Sequence, residues 1–224
     1  MNVKQQTAGC LKRPKISFRT VPALMLLFFM TGSFFAPPPL DGYLVMYKEQ
    51  YYKLFHIHYS QYPDDTLENI FWLELALKAN FANPLYAMAR IETPEQYEKY
   101  CYLFMMHLNL KMIEQYIFLA NKFNKRYAYF YNAPWKEENL KSLDIAEKYF
   151  ETARYYWTEA VSWAEKARDG RFRFMRLERI QFWEDQAYRI IEIKTLDYGK
   201  TLDRELTRLY SVREQFQAME GPAD

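Results

Sequence analysis

The sequence predicts an all-α protein of antiparallel helical hairpins, bundle-like or repeat-like, behind an N-terminal signal or transmembrane segment. Three observations carry this. Leu143, Ala146, Phe150, Ala153, Trp157, Ala160, Ala164 and Ala167 are spaced 3,4,3,4,3,4,3, an unbroken heptad seam. Gly is scarce, at 6 of 224 residues, whereas β-rich and nucleotide-binding chains need it for turns and phosphate loops. The punctuation is helical. Thr93-Pro94-Glu95-Gln96 reads as an N-cap, a Pro at the first helical position and a Gln three residues after the cap. No Asn-Gly or Asp-Gly sits between alternating apolar runs, so no strand hairpin is expected.

Taken in order, residues 1–20 form a basic flank. Lys4, Lys12, Arg13, Lys15 and Arg19 precede the first acid, Asp41. The stretch Thr20–Leu40 is uncharged over 21 residues and centres on Val21-Pro22-Ala23-Leu24-Met25-Leu26-Leu27-Phe28-Phe29-Met30. A basic flank before such a run predicts a signal-anchor or a signal peptide over 21–40, and its length is close to the ~20 residues that cross a bilayer. The charge asymmetry places residues 1–20 in the cytoplasm and the chain after Leu40 outside it. Phe34-Phe35-Ala36 fits signal peptidase poorly and Thr31-Gly32-Ser33 fits better, so cleavage and retention both stay open. If the segment is retained, Pro37-Pro38-Pro39 is a stiff spacer.

Residues 41–224 read as a single helical domain, with helices expected near 42–60, 65–81, 84–91, 94–131, 135–168, 171–195 and 200–219. The first is rich in Tyr. Asp64 or Asp65 with Glu68 opens the second, and Asn83-Pro84 opens the third. Helix 94–131 carries Leu103, Met106, Leu110, Ile113, Ile117 and Ala120 beside a second apolar row, Phe104, Leu108, Met112, Tyr116 and Leu119. Such a helix is central and covered on two sides. The short loop Asn132-Ala133-Pro134 turns it back antiparallel onto 135–168, whose outer face bears Lys141, Asp144, Lys148, Glu151 and Glu165. Asp169-Gly170 and Asp197-Tyr198-Gly199 are breaks. Ile180, Trp183, Ala187 and Ile190 stripe one late helix, and Leu202, Leu206, Leu209, Phe216 and Met219 the last.

Composition excludes several classes. Half the residues are hydrophobic and 26% are charged, which is not a disordered chain. Of the 30 bases, 25 remain once the five of the flank are set aside, against 28 acids. A net −3 over residues 37–224 argues against nucleic acid as a partner. Cys10 precedes the apolar run, and Cys101 among Tyr100, Tyr102, Leu103 and Phe104 reads as a buried, inert thiol.

Catalytic signatures are missing. His56 and His58 are two apart and would point about 200° apart on a helix, and His107 stands alone. There is no H-E-x-x-H, C-x-x-C, G-x-S-x-G, phosphate-binding Gly loop or Glu-x-x-His pair. The expectation is a chain that is not an enzyme and has no cofactor, no metal and no catalytic residue.

Two surfaces are candidates for contact. Tyr127, Tyr129, Phe130, Tyr131 and Trp135 lie at the tip of the long hairpin, distant from the core they would otherwise fill, and are candidate protein-interaction residues. Arg168, Arg171, Arg173, Arg176 and Arg179 gather at one helix start, with only Asp169 and Glu178 as nearby acids. They are a candidate patch for an anionic partner, against the plainer reading of a solvated face.

The pattern of Trp72, Leu75, Ala76 and Ala79, within residues 44–92, resembles the first helix of a tetratricopeptide repeat, although no 34-residue period follows. With the secretion signal and aromatic-rich helices, the chain also loosely resembles periplasmic helical proteins of spirochaetes, including components of the flagellar collar. That resemblance implies a scaffold role at the inner membrane and transfers no site residue. The expected function is a membrane-anchored or periplasmic helical scaffold mediating protein–protein contacts in an envelope assembly, with a flagellar one as the instance the resemblance implies. Its expected partners are other proteins of that assembly and, through residues 21–40, the membrane. The alternatives are a helical protein holding a small apolar ligand in an aromatic-lined cavity, or an enzyme without a recognisable motif.

Overall fold

Three of the helix starts fall where a short polar side chain takes up an unpaired amide. In the computed structural model, residues 44–219 are described. The basic flank 1–20, the apolar segment 21–40 and Pro37-Pro38-Pro39 lie outside them. Six α-helices follow one another: α1 (Lys48–Gln61), α2 (Thr66–Lys78), α3 (Pro94–Phe123), α4 (Lys136–Ala167), α5 (Gln181–Ile191) and α6 (Tyr198–Ala218). No strand occurs among the described residues. Asp65 Oδ1 accepts from the Glu68 amide at 3.3 Å. Thr93 Oγ1 accepts from the Gln96 amide while Gln96 Oε1 accepts from the Thr93 amide, the reciprocal capping box the sequence shows. Asp197 Oδ1 caps α6 through the Lys200 amide at 3.1 Å.

The core is the α3–α4 hairpin, clad on both sides. Tyr100, Leu103, Phe104, Met106, Leu108, Leu110, Met112 and Ile113 of α3 are inaccessible to solvent, as are Leu143, Ala146, Phe150, Ala153, Ala160 and Ala164 of α4. Alanines along the α4 seam let backbones approach while Phe150 fills the space between. The α1–α2 hairpin brings Tyr52, Phe55, Ile70, Leu73 and Ala76 to the same core. α6 runs antiparallel to α4, held by Arg154 to Asp203 at 2.6 Å at one end and Arg213 to Asp144 and Glu147 at 2.8 and 2.7 Å at the other. Trp157, expected in the seam, is only half-buried. It sits against Gly199 and meets Tyr198 edge-on at 5.9 Å.

Three expected helices are shorter. The segment 84–91 contains only a 3-10 turn, Pro84–Tyr86, because Asn83 accepts from the Leu85 amide and closes a local turn. The segment 94–131 leaves the helix after Phe123, whose carbonyl is taken by Ser142 Oγ at 2.7 Å. Beyond it the chain is non-helical through Tyr127 and Tyr129, which are spaced two apart as in extended chain, until a 3-10 turn opens at Phe130. Of 171–195 only Gln181–Ile191 is α-helical. Asp169 accepts from the Arg171 amide, Lys99 Nζ takes the Met175 carbonyl, and Arg179 adopts a left-handed φ of 73°, so the chain here is held in turns.

Buried charge was not foreseen. Lys48 Nζ donates to the carbonyls of Ala76 at 3.1 Å and Leu77 at 2.5 Å, tying α1 to the C-terminal end of α2. Glu49 accepts from the Ala82 amide at 2.9 Å and the Tyr100 hydroxyl at 3.0 Å. Lys99 pairs with Glu184 at 2.5 Å. Each such group is paired, as burial requires.

Candidate functional site

The tip follows from the end of α3. Asn124 is extended and its amide closes on the Ala120 carbonyl, after which the chain runs to a 3-10 turn at Phe130–Trp135. In extended backbone, side chains two apart share a face. Tyr127 and Tyr129 accordingly lie 5.8 Å apart. Tyr131, one residue into the 3-10 turn, stacks on Tyr129 at 5.1 Å with planes 7° apart, and Phe130 meets Tyr131 edge-on. All five candidate aromatics are exposed, from 46% for Tyr129 to 86% for Phe130. Neither α1 nor any other described element covers them. Lys136 Nζ donates to the carbonyls of Gln217 and Met219, bracing the base of the tip on the end of α6.

The five arginines fall between α4 and α5 and not in the first turns of one helix, which corrects the sequence reading. Arg168 caps the end of α4 and the others lie in the turns before α5. Arg168 pairs with Glu192, and Arg171 donates twice to Glu98 at 2.9 and 2.8 Å. Two of the five charges are thereby matched by carboxylates that are distant in sequence.

A second constellation forms where α1, α3 and α5 meet. Gln186 Oε1 can only accept, so His107 Nδ1, 2.9 Å away, carries a proton. Burial pushes His107 down to about 3, so its ring is neutral and Nε2 accepts. The Tyr52 hydroxyl, 2.6 Å from that nitrogen, donates to it, and its oxygen accepts from His56 Nε2–H at 2.7 Å. The chain of bonds therefore has one direction: His56 to Tyr52 to His107 to Gln186. Trp183 stacks on His107 at 4.9 Å and on Phe104 at 5.2 Å. Beside it opens a cleft of about 350 Å³ lined by Tyr52, His56, Met88, His107, Lys111, Arg179, Ile180, Phe182 and Trp183. Burial, then the nearby Lys111 charge, lowers the His56 pKa.

Sequence reasoning treated the three His separately and missed this arrangement. Tyr52 and His56 are four apart on one helix, a legible signal that they share a face. His107 and Gln186 arrive from distant helices, which no local spacing reveals. His58 stands apart, 3.0 Å from Asn69 Oδ1. Cys101 is half-buried, and burial holds its thiol up to about 12, so it is protonated at neutral pH. Among the described residues no three His, Cys, Asp or Glu side chains come together to hold a metal ion.

A family described as a domain of unknown function, DUF8513, matches residues 95–219, more than half of the chain. The chain belongs to this family. No curated protein and no solved structure matches it. The DUF8513 region begins one residue inside α3 and ends at the last described residue. It therefore contains the aromatic tip, the arginine-bearing turns, His107, Lys111, Arg179, Trp183 and Gln186. Tyr52 and His56, on α1, fall outside it, so the hydrogen-bond chain joins the DUF8513 region to the hairpin before it.

Proposed function

We propose that the protein is a non-catalytic helical scaffold that engages another protein through the aromatic tip at 127–135. One observation carries this: the tip presents a pre-stacked row of exposed aromatics that no described element covers. Exposed contiguous apolar patches mark contact sites. Tyr and Trp bury large areas at small cost in side-chain entropy, and rings already stacked lose less freedom still when a partner closes on them.

The N-terminal segment gives the proposal a geometry. Residues 21–40 anchor the chain in a membrane or direct it across one, with the helical domain on the non-cytoplasmic side. No helix among the described residues is long and apolar enough to cross a membrane, so this role rests on residues 21–40 alone. Val45 accepts from Tyr51, and Glu49 bonds Tyr100 near the start of α3. The tip begins at Asn124, roughly 35 Å farther along α3 at 1.5 Å per residue. Chain entry and tip thus occupy opposite ends of the helical unit, an arrangement suited to presenting a contact surface.

The test is site-specific photo-crosslinking in intact membranes. A crosslinker at Phe130 should trap one discrete protein, a crosslinker at the exposed Leu85 should not, and Tyr129→Ser with Tyr131→Ser should abolish the adduct without lowering the melting temperature. A double variant that loses several kcal/mol would show the tip to be part of the packed core, and the scaffold reading would lose its surface.

A further inference from the structure

The cleft between α1, α3 and α5 has a chemical bias that the scaffold reading does not use. Its lining contains two cations, Lys111 and Arg179, and the imidazole of His56, but no carboxylate. Two other clefts differ in this respect: one carries Glu74 and Glu159 beside Lys78, the other Asp169 and Glu192 beside Arg168 and Arg173. Lys111 is partly matched, its Nζ 2.7 Å from Glu114. The Arg179 side chain makes no ion pair or hydrogen bond among the described residues. Its backbone sits at φ 73°, in the left-handed region that L-residues with a Cβ seldom enter. Strain of this kind gathers at ligand sites because surrounding structure holds it there.

The remaining walls are apolar: Met88, Ile180, Phe182 and the buried Trp183. The hydrogen-bond chain sets which polar atoms stay available. Tyr52 and both His107 nitrogens are committed, and His56 has spent Nε2–H on Tyr52, so His56 Nδ1 is the ring nitrogen left over. A volume of about 350 Å³ lies within the range of small-molecule sites, roughly 300–1,000 Å³.

We infer that this cleft binds a small carboxylic acid with an aromatic or apolar body, its carboxylate held by Arg179 with Lys111 alongside and its body against Phe182, Trp183 and Met88. Arg179 suits the role because a guanidinium meets a carboxylate through two parallel N–H bonds. The site is independent of the tip.

Calorimetric or ligand-observed NMR titration of the full chain with phenylacetate, phenylacetamide and phenethylamine tests this. Phenylacetate should bind. The isosteric amide should bind at least tenfold more weakly and the amine not at all. Arg179→Asn, chosen because Asn tolerates positive φ, should weaken phenylacetate binding roughly tenfold to a hundredfold, the usual weight of a charge-assisted contact. Lys111→Gln should weaken it less, because Glu114 already occupies that cation. Tyr129→Ser with Tyr131→Ser should leave it unchanged. Equal binding of acid and amide, full affinity in Arg179→Asn, or no phenylacetate binding at millimolar concentration would each overturn the proposal.

Discussion

Acidification from pH 7 to pH 5 should destabilise the fold through His107. Its ring is buried, accepts from Tyr52 and donates to Gln186, and burial pushes it down to about 3. An unfolded His titrates near 6.5. Between about 6.5 and 3 the unfolded chain therefore holds a proton that the folded chain refuses. The stabilisation is complete above the unfolded value and is lost as pH falls through this window. From pH 7 to 5 the loss works out at about 2 kcal/mol for this one group. That corresponds to roughly 4–8 °C in melting temperature for a domain of this size. His56, lowered by burial and by Lys111, acts in the same direction. Urea midpoints at pH 7 and pH 5 provide the assay, because unperturbed carboxylates titrate below that interval. His107→Gln should lose most of the dependence, and His107→Gln with His56→Gln should be nearly flat. A parent equally stable at both values, or a His107→Gln variant that keeps the full slope, would refute the hydrogen-bond chain as drawn.

Gly199 carries a close contact: a Cβ there would lie 2.9 Å from Trp157 Nε1 and 3.1 Å from Asp197 Oδ1. Gly199→Ala should cost about 1–2 kcal/mol and half-buried Trp157→Ala roughly 2 kcal/mol, with the pair in denaturation cycles costing less than the sum because the clash is relieved. Lys99→Met strands Glu184 and the Met175 carbonyl, so chemical denaturation should show a loss of about 3 kcal/mol, much of it regained in Lys99→Met with Glu184→Leu. The orientation proposed from the flank is read by a reporter enzyme fused after Asp224, which should be active on the non-cytoplasmic side; activity confined to the cytoplasm would reverse it.

The exposed tip shows how far local pattern carries. Five aromatics at a hairpin turn were visible as a candidate surface, yet the non-helical run through Tyr127 and Tyr129 and the 3-10 turn that brings Tyr131 onto Tyr129 were absorbed into an overlong helix. The arginine cluster shows the opposite failure. Its density was legible, but Glu98 and Glu192, which match Arg171 and Arg168, come from separate helices. The DUF8513 match begins at the capping box that opens α3 and so falls on a boundary the sequence marks clearly.

The sequence by itself determined the helical class, the starts of α2 and α3, and the buried faces of α3 and α4, whereas Asp197-Tyr198-Gly199, read as a break, is the cap and first turn of α6. Caps act within four residues and apolar stripes repeat within one or two turns, so both are written locally. Tertiary structure alone decided where α3 stops, why the chain from Asp169 to Ile180 stays in turns, and that His56, Tyr52, His107 and Gln186 form one directed chain. Those outcomes depend on Ser142 reaching the Phe123 carbonyl, on Lys99 reaching Met175, and on α1 and α5 meeting across α3. Each joins residues 19 to 79 positions apart, and a contact over that distance is set by how packed helices bring backbone and side chain together, which no local period encodes.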